Sequence, residues 1–472
     1  MNLLGIVHFL AFLIRRNSAL PCHGSLIFFL LLSAGPTFAQ QFRSSGAMVD
    51  ANGAAQDWTI WSARPETAPH CFVDSIHYRS NPGSLAISGA SNFVEHGGWE
   101  HLVRGVETGN WYRFTAWYHA EGIASENWQI MARLDWRDPT NTRAGQPDYA
   151  NRVTKEGLWT RLSMDAPAPA NARSVALQLY LSNAPAGTVW WNDIALEPIP
   201  SPLPRMVKVA AVNLRPSGTT SSADSVNRFI AMIERKIRDK TDVIVLPEGI
   251  TSVGTGKSYV DVAETIPGPS TQRLGQLAKE RNTYIVAGIY EREGAAVYNT
   301  AVLIDRSGNV AGKYRKVYLP REEIEGGLTP GRDYPVFQTD FGTVGLMICY
   351  DVMFPDPARA LAGRGAQIIL MPIAGGDETL AKARAIENKL FVVSSGYDFP
   401  TMIIDPDGNV LSRTHEDITL ASAQIDLSKR YTDNWLGDMH SRRMRELRLD
   451  IPVEQPGLEN DPGRNPTGRF NH

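Results

Sequence analysis

The chain has 472 residues, enough for two or three domains, and its 43% hydrophobic and 21% charged residues are the balance of an ordinary globular protein. A net charge of -3 with no polybasic stripe argues against a nucleic-acid partner. The 3 cysteines show no zinc-type Cys/His spacing, so neither a disulfide scaffold nor a metal site is expected, and no cofactor is implied.

Residues 3–14 are apolar, Arg15 and Arg16 follow, and residues 26–32 form a second apolar run ending in SAGPTFAQQF. The second run reads as a secretory signal, with small residues Thr37 and Ala39 before Gln40. Neither run spans a bilayer comfortably. Residues 1–39 are therefore expected to be a signal peptide or an N-terminal anchor, and the protein to be exported, either periplasmic or secreted. Cys22 would leave with a cleaved signal, and Cys71 and Cys349 are expected as free thiols in different domains.

Between residues 42 and 199 the composition shifts: ten of the 11 tryptophans lie from Trp58 to Trp191. Short alternating runs such as WYRFTAWYHA, WQIMARLDW, SVALQLYL and TVWWNDIAL, separated by turn residues, predict a separate all-β antiparallel sandwich. The spacing GGWEHLV, GNWYRFTAWY, GLWTRLSM and GTVWWNDIAL resembles jelly-roll carbohydrate-binding modules with a galactose-binding-like fold. That resemblance implies a glycan partner, with Arg133, Asp135 or Asn127 as hydrogen-bonding residues beside exposed rings. The alternative is a structural or dimer-orienting role, with Trp117, Trp159 and Trp190 filling the sandwich core.

PIPSPLP closes this region, with residues 200–204 as a stiff proline linker. Strand and helix then alternate across 205–430. Strands are expected at 208–214, 242–246, 284–290, 298–304, 310–314, 344–348, 367–372, 390–395 and 401–404. Helices are expected at 222–239, from a cap at Ser270 to Arg281, at 358–363 after a turn at 351–357, and at 378–388. This is an α/β pattern. Residues 431–472 form a C-terminal extension, and its Pro-, Gly- and Asn-rich end, from 455 onward, is expected to be poorly ordered.

Three charged or nucleophilic residues stand at predicted strand ends. In TVGLMICYDVMFPD, Cys349 lies at a strand-to-helix elbow, where backbone N–H groups can lower a thiol pKa and hold an oxyanion. Most lone cysteines simply pack as small hydrophobes. Glu248 ends TDVIVLPEG and Lys316 sits in YRKVYLP, and such charges are usually solvated. Here apolar runs flank both, so each would be partly buried and need a partner. Three strand ends in one α/β domain can converge on one rim.

LPEG, YRKVYLP and ICYDVMFP, in this order, resemble the three signature motifs of the nitrilase superfamily, the carbon–nitrogen hydrolases. AGIYERE, VYNTAVLIDRSGNVAGKYRK, LTPG, ARAIEN and TMIIDPDGNV extend the resemblance over roughly residues 205–427. It implies a four-layer αββα sandwich, and a homodimer or higher homo-oligomer whose C-terminal extension crosses the interface. It also implies hydrolysis of a small-molecule amide or N-carbamoyl compound through a thioester on Cys349. Glu248 would be the proton shuttle, and Lys316 with the Tyr350 backbone N–H would be the oxyanion donors. A second glutamate is expected from REEIEGG, which offers Glu322, Glu323 and Glu325, and Glu325 is the choice there because IEG precedes a PG turn.

Tyr350-Asp351 after the cysteine departs from the Trp-Glu usual in the nitrile-cleaving branch, so nitrile hydrolysis is the alternative rather than the first reading. A Cys–His protease lacks a supporting histidine motif, since His415 and His440 lie in polar stretches. An N-acyltransferase of the same superfamily would carry several membrane spans. A glycan-binding protein with an inactive hydrolase-like domain is the reading from another class; the intact Glu248, Lys316 and Cys349 argue against it.

Overall fold

The computed structural model describes residues 42–43, 55–80, 83–398, 401–415, 419–448 and 450–451. The expected signal or anchor, and the C-terminal end from residue 452, lie outside the described residues. Among the described residues no helix is long and apolar enough to cross a membrane.

The N-terminal part is two antiparallel sheets. The seven-stranded sheet runs His70–Asp74, Ser84–Ser88, Thr188–Ile199, Trp111–Glu121, Trp159–Pro167, Arg152–Glu156, with Phe42–Arg43 pairing against Thr188–Ile199. The five-stranded sheet runs Thr59–Ser62, His96–Arg104, Ser174–Ser182, Ile130–Arg137, Asp148–Tyr149. Their inner faces share one core. Tyr112, Phe114, Ala116 and Tyr118 from one sheet meet Val175, Leu177, Leu179 and Leu181 from the other, following the two-residue strand period.

The tryptophans in that core are Trp58, Trp99, Trp136 and Trp191. Trp117, Trp159 and Trp190, expected there, alternate with core residues and so lie on the sheet's outer face. Arg79 lies 3.7 Å over Trp117, while Trp190 stacks on His119 and donates its indole N–H to Asp74 Oδ2 at 2.8 Å. The 74–80 segment buries Trp117 and Trp190 from outside.

The strand Met206–Val212 opens the second part, where two six-stranded mixed sheets pack together. One is ordered Val310–Arg315, Ala296–Ile304, Tyr284–Glu293, Val243–Val245, Met206–Val212, Leu420–Asp426. The other is ordered Val336–Gln338, Thr343–Leu346, Ile368–Pro372, Phe391–Ser395, Met402–Ile404, Val410–Arg413. Val209, Val245 and Val286 of the first meet Leu346, Leu370 and Val393 of the second. Helices Ser222–Lys236 and Pro269–Arg281 cover the outer face of the first sheet through Phe229, Ile233, Leu274 and Leu277. Helices Pro355–Gly363 and Glu378–Asn388 cover the second through Leu361 and Ala385.

Two helix starts differ from expectation for the same reason. Proline lacks an N–H and is pre-set for the first helical turn, so Pro269 and Pro355 begin their helices upstream of the expected positions. Gly268 is the N-cap of the first, and Ser270 instead bonds Glu264 through its N–H at 2.9 Å and its hydroxyl at 3.1 Å.

The C-terminal extension docks on the N-terminal sheets of its own chain. From the helix Met439–Glu446, Arg445 donates to the carbonyls of Glu126 and Ile130. Just ahead of the extension Arg430 pairs with Asp148, and within it Arg448 lies 4.0 Å over Trp128. Asn127, expected to face a glycan, donates to Leu447 O at 2.7 Å. Arg133 donates to Gln178 and Tyr149, and buried Asp135 pairs with Arg137 and Arg143, so both are bonded within the protein.

Candidate active site

The cysteine stands at an elbow. The strand Thr343–Leu346 and the following Met347 and Ile348 are apolar and all but Thr343 are buried, after which Cys349 takes φ 42° and opens a short 3-10 turn, Cys349–Met353. A non-glycine residue in the left-handed region is strained and has to be held there. Asp351 supplies the hold. Its Oδ2 accepts the Ile348 N–H at 2.9 Å and the Tyr314 hydroxyl at 2.8 Å, and Oδ1 accepts the Tyr318 N–H at 3.1 Å. Since Tyr314 and Tyr318 flank Lys316, this carboxyl ties the elbow to the lysine segment. Burial pushes the Asp351 carboxyl up to about 6 against those hydrogen bonds.

Glu248 follows the buried strand Val243–Val245, and its carbonyl accepts the Tyr397 hydroxyl at 2.7 Å. Gly288 on the neighbouring strand allows the close approach: a Cβ there would lie 2.6 Å from Glu248 Cα. Lys316 directly follows the strand Val310–Arg315, and its N–H donates to Asn299 O at 2.9 Å. Its ammonium is buried and lies 2.9 Å from Glu248 Oε1 and 2.9 Å from Glu323 Oε1. Asn299 Nδ2 donates to the same two oxygens, each at 2.7 Å. The Cys349 thiol donates to Gly375 O at 3.3 Å, and the Glu248 charge beside it raises its pKa. The Gly375 carbonyl can hold that proton but not remove it, and the neighbouring group able to remove it is the Glu248 carboxylate.

Glu248, Lys316 and Cys349 are thus brought together, but Glu325 is not. It is 60% exposed and pairs with Arg321 at 2.8 Å. Glu322 is also exposed, and the second glutamate of the cluster is Glu323. In the helix Arg321–Glu325 successive side chains turn about 100°, so only one of the three can face Lys316. Tyr350 keeps an exposed ring, and its N–H lies in the first turn of the 3-10 segment, where N–H groups lack an intrahelical acceptor. Asn299, buried in AVYNTAVLI, and the hold exerted by Asp351 are not evident from the sequence; the signal for each is a polar residue set among apolar ones.

The charges are coupled. Burial would raise the Glu248 carboxyl, but the Lys316 ammonium outweighs it, aided by hydrogen bonds from Lys316, Cys349 and Asn299, and holds it below the usual range. Burial would lower Lys316, yet Glu248, Cys349 and Glu323 hold it well above the usual range, so it is charged. Burial pushes Glu323 up to about 7, against the pull of Lys316 and with the push of Glu248. Cys349 is pushed up to about 12, chiefly by burial and then by the Glu248 charge. The resting site is therefore a thiol beside an ionised base. Lys316 fills the place between the carboxylates that a cation would take, and among the described residues no group of three or more His, Cys, Asp or Glu is placed to hold a metal ion.

Residues 208–433 match the family model described as carbon-nitrogen hydrolase. The chain is 30% identical over 273 residues to omega-amidase NIT2 of Mus musculus, covering 52% of this chain and 93% of that protein. The chain belongs to the carbon–nitrogen hydrolase family. This hydrolase is also 31% identical over 253 residues to Hydrolase C26A3.11 of Schizosaccharomyces pombe, covering 48% of this chain and 78% of that protein. Nit3 of Saccharomyces cerevisiae, a member of branch 10 of the nitrilase superfamily, is similar at 28% identity and a TM-score of 0.43, covering 47% of this chain and 90% of that one.

Proposed function

We propose that this hydrolase cleaves the C–N bond of a small-molecule amide or N-carbamoyl compound through a thioester on Cys349. The observation that carries the reading is the buried Lys316 ammonium bridging Glu248 and Glu323, with the Cys349 thiol beside the same Glu248.

Because the resting sulfur is a thiol, attack needs a base within reach. Glu248 takes the thiol proton as Cys349 attacks the carbonyl carbon. Lys316 spends two of its three N–H groups on the carboxylates, and the third, with the Tyr350 N–H, serves the oxyanion. Glu248 then protonates the leaving nitrogen, an amine or ammonia departs, and a thioester remains. Water, deprotonated by Glu248, attacks that thioester, and the acid and the thiol are released. Glu323 Oε2, buried without a partner among the described residues, is the oxygen left to meet substrate or water.

Residues 205–430 form the catalytic unit, read as an αββα sandwich because each sheet meets the other on one face and helices on its outer face. Residues 42–199 form a separate β-sandwich joined by the 200–204 linker, and residues 431–472 follow as an extension whose described part, to residue 448, fastens the two. The relatives named omega-amidase support an amide over a nitrile. Export is supported by the apolar run at 26–32 with Thr37 and Ala39 before Gln40.

The test is a panel of simple amides, N-carbamoyl amino acids and nitriles, assayed for ammonia or amine release. Turnover of amides or N-carbamoyl compounds is expected. Turnover of nitriles alone would overturn the substrate class.

A further inference from the structure

Asn299 lies wholly buried in the strand Ala296–Ile304. A buried amide is costly unless both of its ends are bonded. Here only one end is: Nδ2 uses both hydrogens on Glu248 Oε1 and Glu323 Oε1, at 2.7 Å each, and Oδ1 is buried with no partner among the described residues. An apolar side chain would serve the strand's packing better, so stability does not account for the residue.

The two oxygens that Asn299 holds are those that Lys316 Nζ reaches at 2.9 Å. Two nitrogens and two oxygens close a ring, and the Lys316 N–H bonded to Asn299 O at 2.9 Å keeps its two nitrogen-bearing side chains in register on adjoining segments. A carboxylate gripped at one oxygen by two N–H donors cannot rotate without breaking both bonds.

We propose that Asn299 is a positioning residue of this reaction: its amide pins Glu248 Oε1 and Glu323 Oε1 against Lys316, so that the other oxygen of each carboxylate stays free for chemistry. The proposal rests on the amidase reading above. Donation to an ionised carboxylate favours the ionised form, so Asn299 also keeps Glu248 available as a base at lower pH. The charged and titratable groups facing Glu248 are Lys316, Glu323 and Cys349 within the cluster, and the phenols of Tyr259, Tyr290 and Tyr397 around it. Asn299 is the neutral donor among them.

The experiment compares the full chain with Asn299→Leu, which keeps the approximate size and loses both donors. Two readouts are taken: the pH dependence of Cys349 alkylation by iodoacetamide, followed by peptide mass, and kcat and KM on propionamide. The acid limb of alkylation should move to higher pH in Asn299→Leu, and kcat should fall at least about tenfold with KM changed less than about threefold. If Asn299→Leu does not fold, Asn299→Asp keeps the shape and replaces the donor by a third acid, and the same losses are expected. A folded variant with the wild-type alkylation profile and wild-type kcat overturns the proposal. Alkylation needs no amide substrate, so the two readings separate. A shifted profile in a protein that turns over no amide would support Asn299 and count against the amidase reading, and amide turnover with an unshifted profile would do the reverse.

Discussion

Lys316 Nζ lies 2.9 Å from Glu248 Oε1 and is buried with it, a lysine–glutamate pair cut off from water. Two ions in such a place need each other, and removing one partner typically costs about 3–5 kcal/mol because the other is left uncompensated. Lys316→Met should therefore lower unfolding stability in urea by about 3 kcal/mol and abolish turnover. Unchanged stability would mean that Glu248 is neutral in the wild type, where the Lys316 ammonium should hold it ionised.

The two glutamates of one short helix should behave oppositely. Glu323→Ala removes an oxygen bonded to both Lys316 and Asn299, and turnover should fall by about 100-fold or more. Glu325→Ala breaks an exposed pair with Arg321, and turnover should stay within about twofold. Steady-state rates of the two variants decide it, and the reverse ranking would restore Glu325 to the site.

That pair also shows what the sequence could convey. Cys349, Glu248 and Lys316 are legible because each ends an apolar run, and a charge placed there has to find a partner. The glutamates at 322, 323 and 325 share one acidic stretch, and which of them turns inward depends on where Pro320 lets the helix start, a tertiary matter. The same limit applies to Trp117 and Trp190. Two-residue alternation separates the faces of a strand, but it does not say which face meets the other sheet and which is covered by the 74–80 segment. Asn299 is not legible, because one polar residue in VYNTAVLI looks like a tolerated strand residue until its two carboxylate partners are in view.

Asp351 gives a prediction about pH. Its carboxyl is raised from 3.8 to about 6 by burial, so between those values the folded protein holds a proton that the unfolded chain has released. The native state binds more protons there, and its stability falls as pH rises through the window. Asp351→Asn cannot titrate, so the wild type should lose stability relative to this variant from pH 4 to pH 6 in urea titrations. A constant difference would mean that the carboxyl is ionised throughout.

Arg445 donates to Glu126 and Ile130 carbonyls across the interface between the extension and the N-terminal sheets. Arg445→Ala should loosen that docking and speed proteolysis within residues 200–204, while leaving the rate on small amides within about twofold, because no catalytic side chain is touched. Limited digestion and an amide assay on one preparation test both halves. A large loss of rate would mean that the N-terminal sheets hold the site in shape.

Turnover by this chemistry passes through a thioester on Cys349. The direct measurement is rapid-quench mass spectrometry of the protein mixed with a turned-over amide, alongside ammonia release by wild type and Cys349→Ala. An acyl adduct on the Cys349 peptide is expected during turnover, and neither adduct nor ammonia from Cys349→Ala. Ammonia release by Cys349→Ala at the wild-type rate would contradict it.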